Sequence, residues 1–268
     1  MKKLTYVVAA IAFLSQSFAQ ASMWDSLSEA NKTRLTSGRH ILQQITHTTL
    51  HANERPAAGE DSDAREPIFK EVVVMKLMNA TPAQISAAFS NYPRYTAMFG
   101  SAGITAASVM SGSLPNVNSQ LTLTLDLLGY HVDNTYGLIN RWTSYKSTDT
   151  LTENDSFKMT WVYGPSVGRN DNGHVYHIEG QMNAEPVVIG GVAKTLVKYK
   201  NYANPSFLRT ILQNDFTGEA VRRNYQDVID MTNALKEYVE SSRNTAEING
   251  VRATFCTEMS GTASQGCP

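Results

Sequence analysis

The chain has 268 residues, of which 42% are hydrophobic and 18% are charged. Its 23 basic and 24 acidic residues nearly cancel, so it lacks the basic excess that neutralises phosphates, and we expect no nucleic-acid partner. After the first residues, no stretch is long and apolar enough to form a transmembrane helix, so stable membrane insertion is not expected either. A chain of this length can hold one large domain or two small ones.

Residues 1–21 have the three-part layout of a secretory signal peptide. The basic pair Lys2-Lys3 precedes an apolar run from Leu4 to Leu14, and Ala19-Gln20-Ala21 supplies an A-x-A cleavage site. The apolar run is shorter than the about 20 residues that a membrane-spanning helix needs. The sequence therefore predicts export, cleavage after Ala21, and a mature protein in the periplasm or the medium.

Residues 22–66 are predicted to form an N-terminal extension. The spacing within Ser22–Ser37 favours a peripheral helix. Residues Arg39–Leu50 are compatible with helix or strand, and their threonine-rich end favours an edge strand. Residues His51–Glu66 have the composition of an exposed loop.

From residue 67 onward the pattern predicts a strand, two helices and then a meander. Ile68–Met78 contains a β-branched run, and Thr81-Pro82-Ala83-Gln84 is a capped helix start. Pro93 ends that helix, and a short second turn is expected at Tyr95–Phe99. Strand-like runs joined by short connections follow, which predicts antiparallel pairing; these are Ile104–Met110, Gln120–Leu128, His131–Trp142, Phe157–Tyr163, Val175–Met182 and Lys194–Tyr202.

A long amphipathic helix is predicted from about Asp215 to Ser241. Its apolar stripe recurs at steps of four and three residues and comprises Val221, Tyr225, Val228, Thr232, Leu235 and Val239. Such a stripe needs a large apolar surface, and the concave face of the preceding sheet is the candidate. The sequence therefore predicts one α+β domain over residues 67–243, in which a curved antiparallel sheet wraps around a long C-terminal helix.

The tail, residues 244–268, is polar and is predicted to be either loose or pinned by its cysteines. Cys256 and Cys267 can close a small disulfide loop in an oxidising compartment. Free thiols and intermolecular pairing are the alternatives that the sequence leaves open.

The order of elements resembles the START-like superfamily, which has the helix-grip fold and includes polyketide cyclase/dehydrase and lipid-transport proteins. Locally, the residues from Met78 to Gln84, with Phe89 and Asn91-Tyr92-Pro93-Arg94-Tyr95, look like that family's first strand, capped helix and helix break. The residues from Leu235 to Val239 look like the end of its closing helix. The resemblance implies an apolar ligand between the long helix and the sheet. We expect no cofactor.

Candidate cavity residues lie on the apolar strand faces and on the helix stripe. For each of them, packing in a dry core is the alternative. They are Leu123, Leu125, Tyr136, Leu138, Trp142, Met159, Trp161, Tyr163, Ile178, Val221, Tyr225 and Val228. Asn134, Asn140 and the Tyr163 phenol are the polar groups predicted to face inward, whereas Arg141 and Glu179 are predicted to face solvent.

The motifs that could carry chemistry predict no catalytic residue and no metal ligand. Gly164-Pro165-Ser166-Val167-Gly168 matches the letters of a nucleophile elbow, but turn composition follows it where a helix is needed, which favours a hairpin loop. The histidine pairs His47/His51 and His174/His177 have the composition of surface histidines.

We therefore expect an exported protein that binds a lipid or another apolar small molecule without covalent chemistry. A cyclase/dehydrase-type enzyme that uses the same cavity is one alternative. An interaction module with a filled cavity is the other. The sequence leaves the ligand and the oligomeric state open.

Overall fold

The computed structural model describes residues 22–45, 54, 71–127, 130–146, 150–172, 174–205, 216–261 and 267, with only the backbone at 125–127, 130, 205 and 216–224. Its α-helices are α1 (Glu29–Thr36), α2 (Pro82–Ser90), α3 (Tyr95–Phe99), α4 (Phe216–Glu240) and α5 (Thr245–Ser260). Its strands are β1 (Ile41–Ile45), β2 (Glu71–Met78), β3 (Ile104–Ser113), β4 (Asn116–Leu127), β5 (Tyr130–Tyr145), β6 (Ser156–Tyr163), β7 (Val175–Ile189) and β8 (Val192–Pro205).

The strands form one antiparallel sheet in the order β1-β2-β8-β7-β6-β5-β4-β3. Strands β3 to β8 pair with their neighbours in sequence as a meander, and β2 pairs with β8. The sheet is curved, and α4 packs against β2, β8 and α3. The predicted α+β fold is confirmed, because one curved antiparallel sheet packs against a long helix near the C-terminus.

Helix α2 begins as its sequence predicts. The Thr81 Oγ1 accepts a hydrogen bond from the Gln84 backbone N–H at 3.3 Å, and the Gln84 Oε1 accepts one from the Thr81 N–H at 3.0 Å. Pro82 occupies the first turn, where its missing N–H costs nothing. This reciprocal cap fixes the direction in which α2 leaves β2 and carries Phe89 onto the sheet.

The two faces of the sheet have different coverings. The inner face and the helices α2 to α5 enclose the main hydrophobic core. The N-terminal extension covers part of the outer face, where Leu35 and Ile41 join Val73, Met75 and Leu196 in a second, smaller core. The predicted helix and edge strand of the extension are therefore present as α1 and β1, and they bury outward-facing residues of β2 and β8.

The tail is pinned by its disulfide, which is one of the two predicted alternatives, and most of it is helical. Residues 245–260 form α5, which packs against α2 and β5. Phe255 is 1% exposed, and its ring lies 5.3 Å from that of Trp142 and 5.2 Å from that of Phe157. A loose tail is therefore the wrong interpretation for this stretch, because its few apolar side chains are placed by tertiary contacts that the weak periodicity of its sequence does not reveal. The disulfide joins Cys256 on α5 to Cys267 and so holds Cys267 against the core.

Candidate functional site: the interior between sheet and helices

One end of the interior is closed by packed side chains. At this end β5 finishes and β6 begins, and inward-facing Trp142, Phe157, Ala184 and Val197 are at most 4% exposed. Helices α2 and α5 lie over this end. We refer to it as the closed end, because the described side chains fill it.

An aromatic cluster continues the packing towards the middle of the sheet. The Phe89 ring lies 6.1 Å from Trp161 and 5.9 Å from Tyr199, and the last two rings are 5.2 Å apart. The Trp161 indole lies across Gly180, where a Cβ atom would come within 2.1 Å of the ring, and it donates a hydrogen bond to the Asn201 Oδ1 at 3.3 Å. Glycine is required here because the indole occupies the space of a side chain.

The opposite end of the interior is less covered, and we refer to it as the open end. Here β4 finishes and β5 begins, and inward-facing Leu123, Tyr163 and Ala203 are only partly buried although they pack against the main core. Tyr225 is the first residue of α4 whose side chain is described, and it is likewise partly buried. Among the described residues, the inward-facing side chains at this end are therefore more exposed than those at the closed end.

The predicted cavity residues that have a described side chain lie in one core. All those with a described side chain belong to the main core, whereas the side chains of Leu125 and Val221 lie outside the described part of the chain. Trp142, Met159 and Trp161 lie towards the closed end and the middle, in packed surroundings. The predicted residues at or next to the open end are Leu123, Tyr136, Leu138, Tyr163, Ile178, Tyr225 and Val228.

Two polar side chains of β5 face inward, as the sequence predicts, but their environments differ. The Asn140 Nδ2 donates to the Val117 carbonyl at 3.0 Å and to the Ser119 Oγ at 2.9 Å, so this amide links β5 to β4. Asn134 lies opposite Leu123 at the open end and is 3% exposed. Its Oδ1 is buried without a hydrogen-bond partner among the described residues.

Phenols and carboxylates surround the open end. Burial raises the pKa of the Tyr136 phenol, and the nearby Asp227 carboxylate on α4 raises it further. Burial also raises the pKa of Tyr163, as do the charge of Asp171 and a hydrogen bond to it. Both phenols are therefore neutral at physiological pH. The sequence pattern did not identify Asp171 and Asp227 as neighbours, because one lies in a loop and the other beside the apolar stripe.

The outer face carries a separate polar cluster. Buried Glu54 accepts hydrogen bonds from the Tyr202 Oη at 2.6 Å and the Asn204 Nδ2 at 2.7 Å. His177 is 6% exposed, so the prediction that it is a surface histidine is wrong. Its Nε2 lies 3.3 Å from a carboxylate oxygen of Glu179. These groups hold the extension against the sheet.

An open concavity lies beside this cluster, and its cations already have partners. The Lys200 Nζ is 2.6 Å from the buried Glu71 carboxylate, and Arg141 donates to the Asn140 carbonyl at 2.9 Å. Arg141 and Glu179 face outward, as predicted. The concavity is therefore a weaker candidate for a binding site than the interior.

The remaining motifs supply no chemistry. Residues 164–168 form a turn, in which the Val167 N–H donates to the Gly164 carbonyl at 2.9 Å, so the predicted hairpin loop is confirmed. His47 and His51 lie outside the described residues. Within the described ranges, no group of three potential metal ligands comes together, and no helix has the length and apolar character to span a bilayer.

Comparison with known proteins gives a likeness of fold. No protein-family profile and no curated protein matches the chain. A STAR-related lipid transfer protein from Xanthomonas axonopodis is similar over 65% of this chain and 88% of its own, with 10% identity and a TM-score of 0.46. The Zhui aromatase/cyclase of a Streptomyces species is similar over 66% of this chain and 96% of its own, with 12% identity and a TM-score of 0.45. Human STARD10 is similar over 67% of this chain and 68% of its own, with 9% identity and a TM-score of 0.37.

Proposed function

We propose that the protein is an exported carrier that binds a lipid or another apolar small molecule non-covalently at the open end of its interior. The lining there combines apolar side chains with few polar groups, as ligand pockets do. Partly exposed Leu123 supplies apolar surface and buried Ile178 and Val228 belong to the same core, and each square ångström of apolar area that the ligand buries contributes about 25 cal/mol. The Tyr136 and Tyr163 phenols stay neutral, so they add polar groups to this lining without adding charge.

The observation that carries the proposal is the buried Oδ1 of Asn134. A buried acceptor without a donor costs about 1–3 kcal/mol, so it needs a partner that the described side chains do not supply. A ligand hydroxyl or N–H at the open end would supply that donor. The proposed ligand is therefore largely apolar and carries at least one hydrogen-bond donor.

Export is part of the same proposal and rests on the signal-peptide pattern of residues 1–21. The disulfide between Cys256 and Cys267 is consistent with an oxidising compartment. Expression of the full chain in a bacterium, followed by fractionation and intact-mass measurement, tests it. A mature chain that begins at Ser22 in the periplasm or medium is expected, and an uncleaved chain in the cytosol would contradict it.

Binding is tested on the exported protein by extraction and mass spectrometry of co-purified apolar molecules. A species that is released unchanged supports carriage. Chemical conversion of that species by the protein would support the cyclase/dehydrase alternative instead. Absence of any bound species, together with failure to bind a fluorescent fatty-alcohol probe, would contradict the carrier.

A space-filling variant separates an open interior from a filled one. Val228→Trp places a large ring from α4 into the interior, and Val162→Trp places the same ring on the exposed outer face as a control. In an open interior, Val228→Trp should abolish probe binding and leave the melting temperature nearly unchanged. In a filled core it should cost about 1–3 kcal/mol of stability, which would favour the interaction module.

The role of Asn134 is tested with Asn134→Leu, which keeps the branched shape and the number of side-chain heavy atoms and removes the acceptor. A net hydrogen bond of about 0.5–1.5 kcal/mol corresponds to about 2- to 13-fold weaker binding of the fatty-alcohol probe. A matched probe with a methyl group in place of the hydroxyl should not lose affinity. Equal losses for both probes would show that Asn134 does not receive the hydroxyl.

A further inference from the structure

The first two residues of the predicted mature chain are fixed to one carboxylate. The Ser22 Oγ donates to the Glu185 Oε1 at 2.6 Å, and the Met23 backbone N–H donates to the Oε2 at 3.0 Å. Glu185 lies near the closed end on the outer face of β7. Both of its oxygens are therefore directed at the start of the mature chain.

The neighbouring contacts hold Ser22 in place. The Ser22 carbonyl accepts a hydrogen bond from the Ser26 N–H at 3.2 Å, which closes a turn. Met23 and Trp24 pack into the smaller core against side chains that include Val187, two residues beyond Glu185. Ser22 is thus held beside the carboxylate by its own hydroxyl and by the residues that follow it.

We propose that Glu185 is a binding site for the α-ammonium group that signal-peptide cleavage creates on Ser22. This inference rests on the cleavage point in the proposed function. Hydrolysis breaks the C–N bond between Ala21 and Ser22, the water oxygen joins the Ala21 carbonyl carbon, and the released amine takes a proton. A neutral amide with one N–H thereby becomes a cation with three donors next to an anion.

The Glu185 carboxylate has no salt-bridge partner in the described part of the chain. A hydrogen bond between charged partners is roughly twice as strong as a neutral one, so cleavage should strengthen the attachment of the extension. Processing would then stabilise the mature protein relative to its precursor.

The experiment uses chains whose first residue is set by a site-specific protease acting on a fusion, so its outcome does not depend on export. One chain begins at Ser22, a second begins at Ala21, and a third is the first chain acetylated on its α-amine. Each N-terminus is made with Glu185 and with Glu185→Gln, and Glu237→Gln on the exposed side of α4 is the matched charge control.

The free Ser22 chain should melt about 2–4 °C above the other two, and this difference should disappear in Glu185→Gln but persist in Glu237→Gln. Equal melting temperatures for the three N-termini, or a difference that survives Glu185→Gln, would overturn the proposal. The intact mass of the exported protein reports separately on the cleavage point. A different cleavage site would contradict the export prediction without changing the result for the defined chains.

Discussion

The substitution Phe255→Ala tests whether α5 is an integral part of the fold. Phe255 is 1% exposed and lies edge-on to Trp142 and Phe157. Removal of a buried phenylalanine ring costs about 3–5 kcal/mol, and this range includes the loss of its ring contacts. Because about 1 kcal/mol shifts the melting temperature of a chain of this size by about 2–4 °C, we expect a fall of about 6–20 °C.

The assay is thermal unfolding followed by circular dichroism, with Thr254→Ala as the control. Thr254 is the exposed neighbour of Phe255 on the same helix, so its truncation should change stability by less than about 0.5 kcal/mol. A Phe255→Ala protein that melts within 2 °C of the control, a cut-off at about 1 kcal/mol, would refute the placement of α5 at the closed end.

Three further predictions concern the core, the disulfide and pH. Gly180→Ala should displace the Trp161 indole and destabilise the protein by about 1–3 kcal/mol, with altered tryptophan emission as the readout; unchanged emission would contradict the close contact. Cys256→Ala with Cys267→Ala should lower the melting temperature as much as a reductant lowers that of the unmodified protein, and an unmodified protein that melts at the same temperature with and without reductant would contradict a stabilising disulfide. Burial and the neighbouring Glu247 carboxylate raise the pKa of Tyr238 to about 12, so its contribution is complete below the unfolded value near 10 and is lost as the pH rises towards 12. The part of the absorbance at 295 nm that Tyr238→Phe removes should therefore rise together with alkaline unfolding, and its rise near pH 10 in a folded protein would contradict the burial.

The sequence predicts the elements of this fold where local chemistry and periodicity agree. The capped start of α2, the alternation along β5 and the stripe on α4 each need only neighbouring residues, and each is present. Asn134 and Asn140 could be placed inward because the strand period fixes the face. Their different roles could not be predicted, since the partners of Asn140 lie on β4 and its register with β5 is a tertiary property.

Contacts between distant segments also explain the two features that the sequence does not reveal. Helix α5 has few apolar residues and one glycine, so its pattern is weak, and its position depends on a hollow formed by Trp142 and Phe157. His177 has the composition of a surface residue but lies beneath the contacts that Glu54 makes with the sheet. Both features arise from segments far apart in the chain.

The position of Ser22 near one end of the interior bears on ligand entry, which we propose at the other end. Glu185 holds Ser22 near the closed end, so the predicted cleavage point and Asn134 lie at different ends of the domain. Ligand entry at Asn134 would then be possible before cleavage, and probe binding by the chain that begins at Ala21 should equal that of the chain that begins at Ser22. Weaker binding by the longer chain would show that the two ends are coupled.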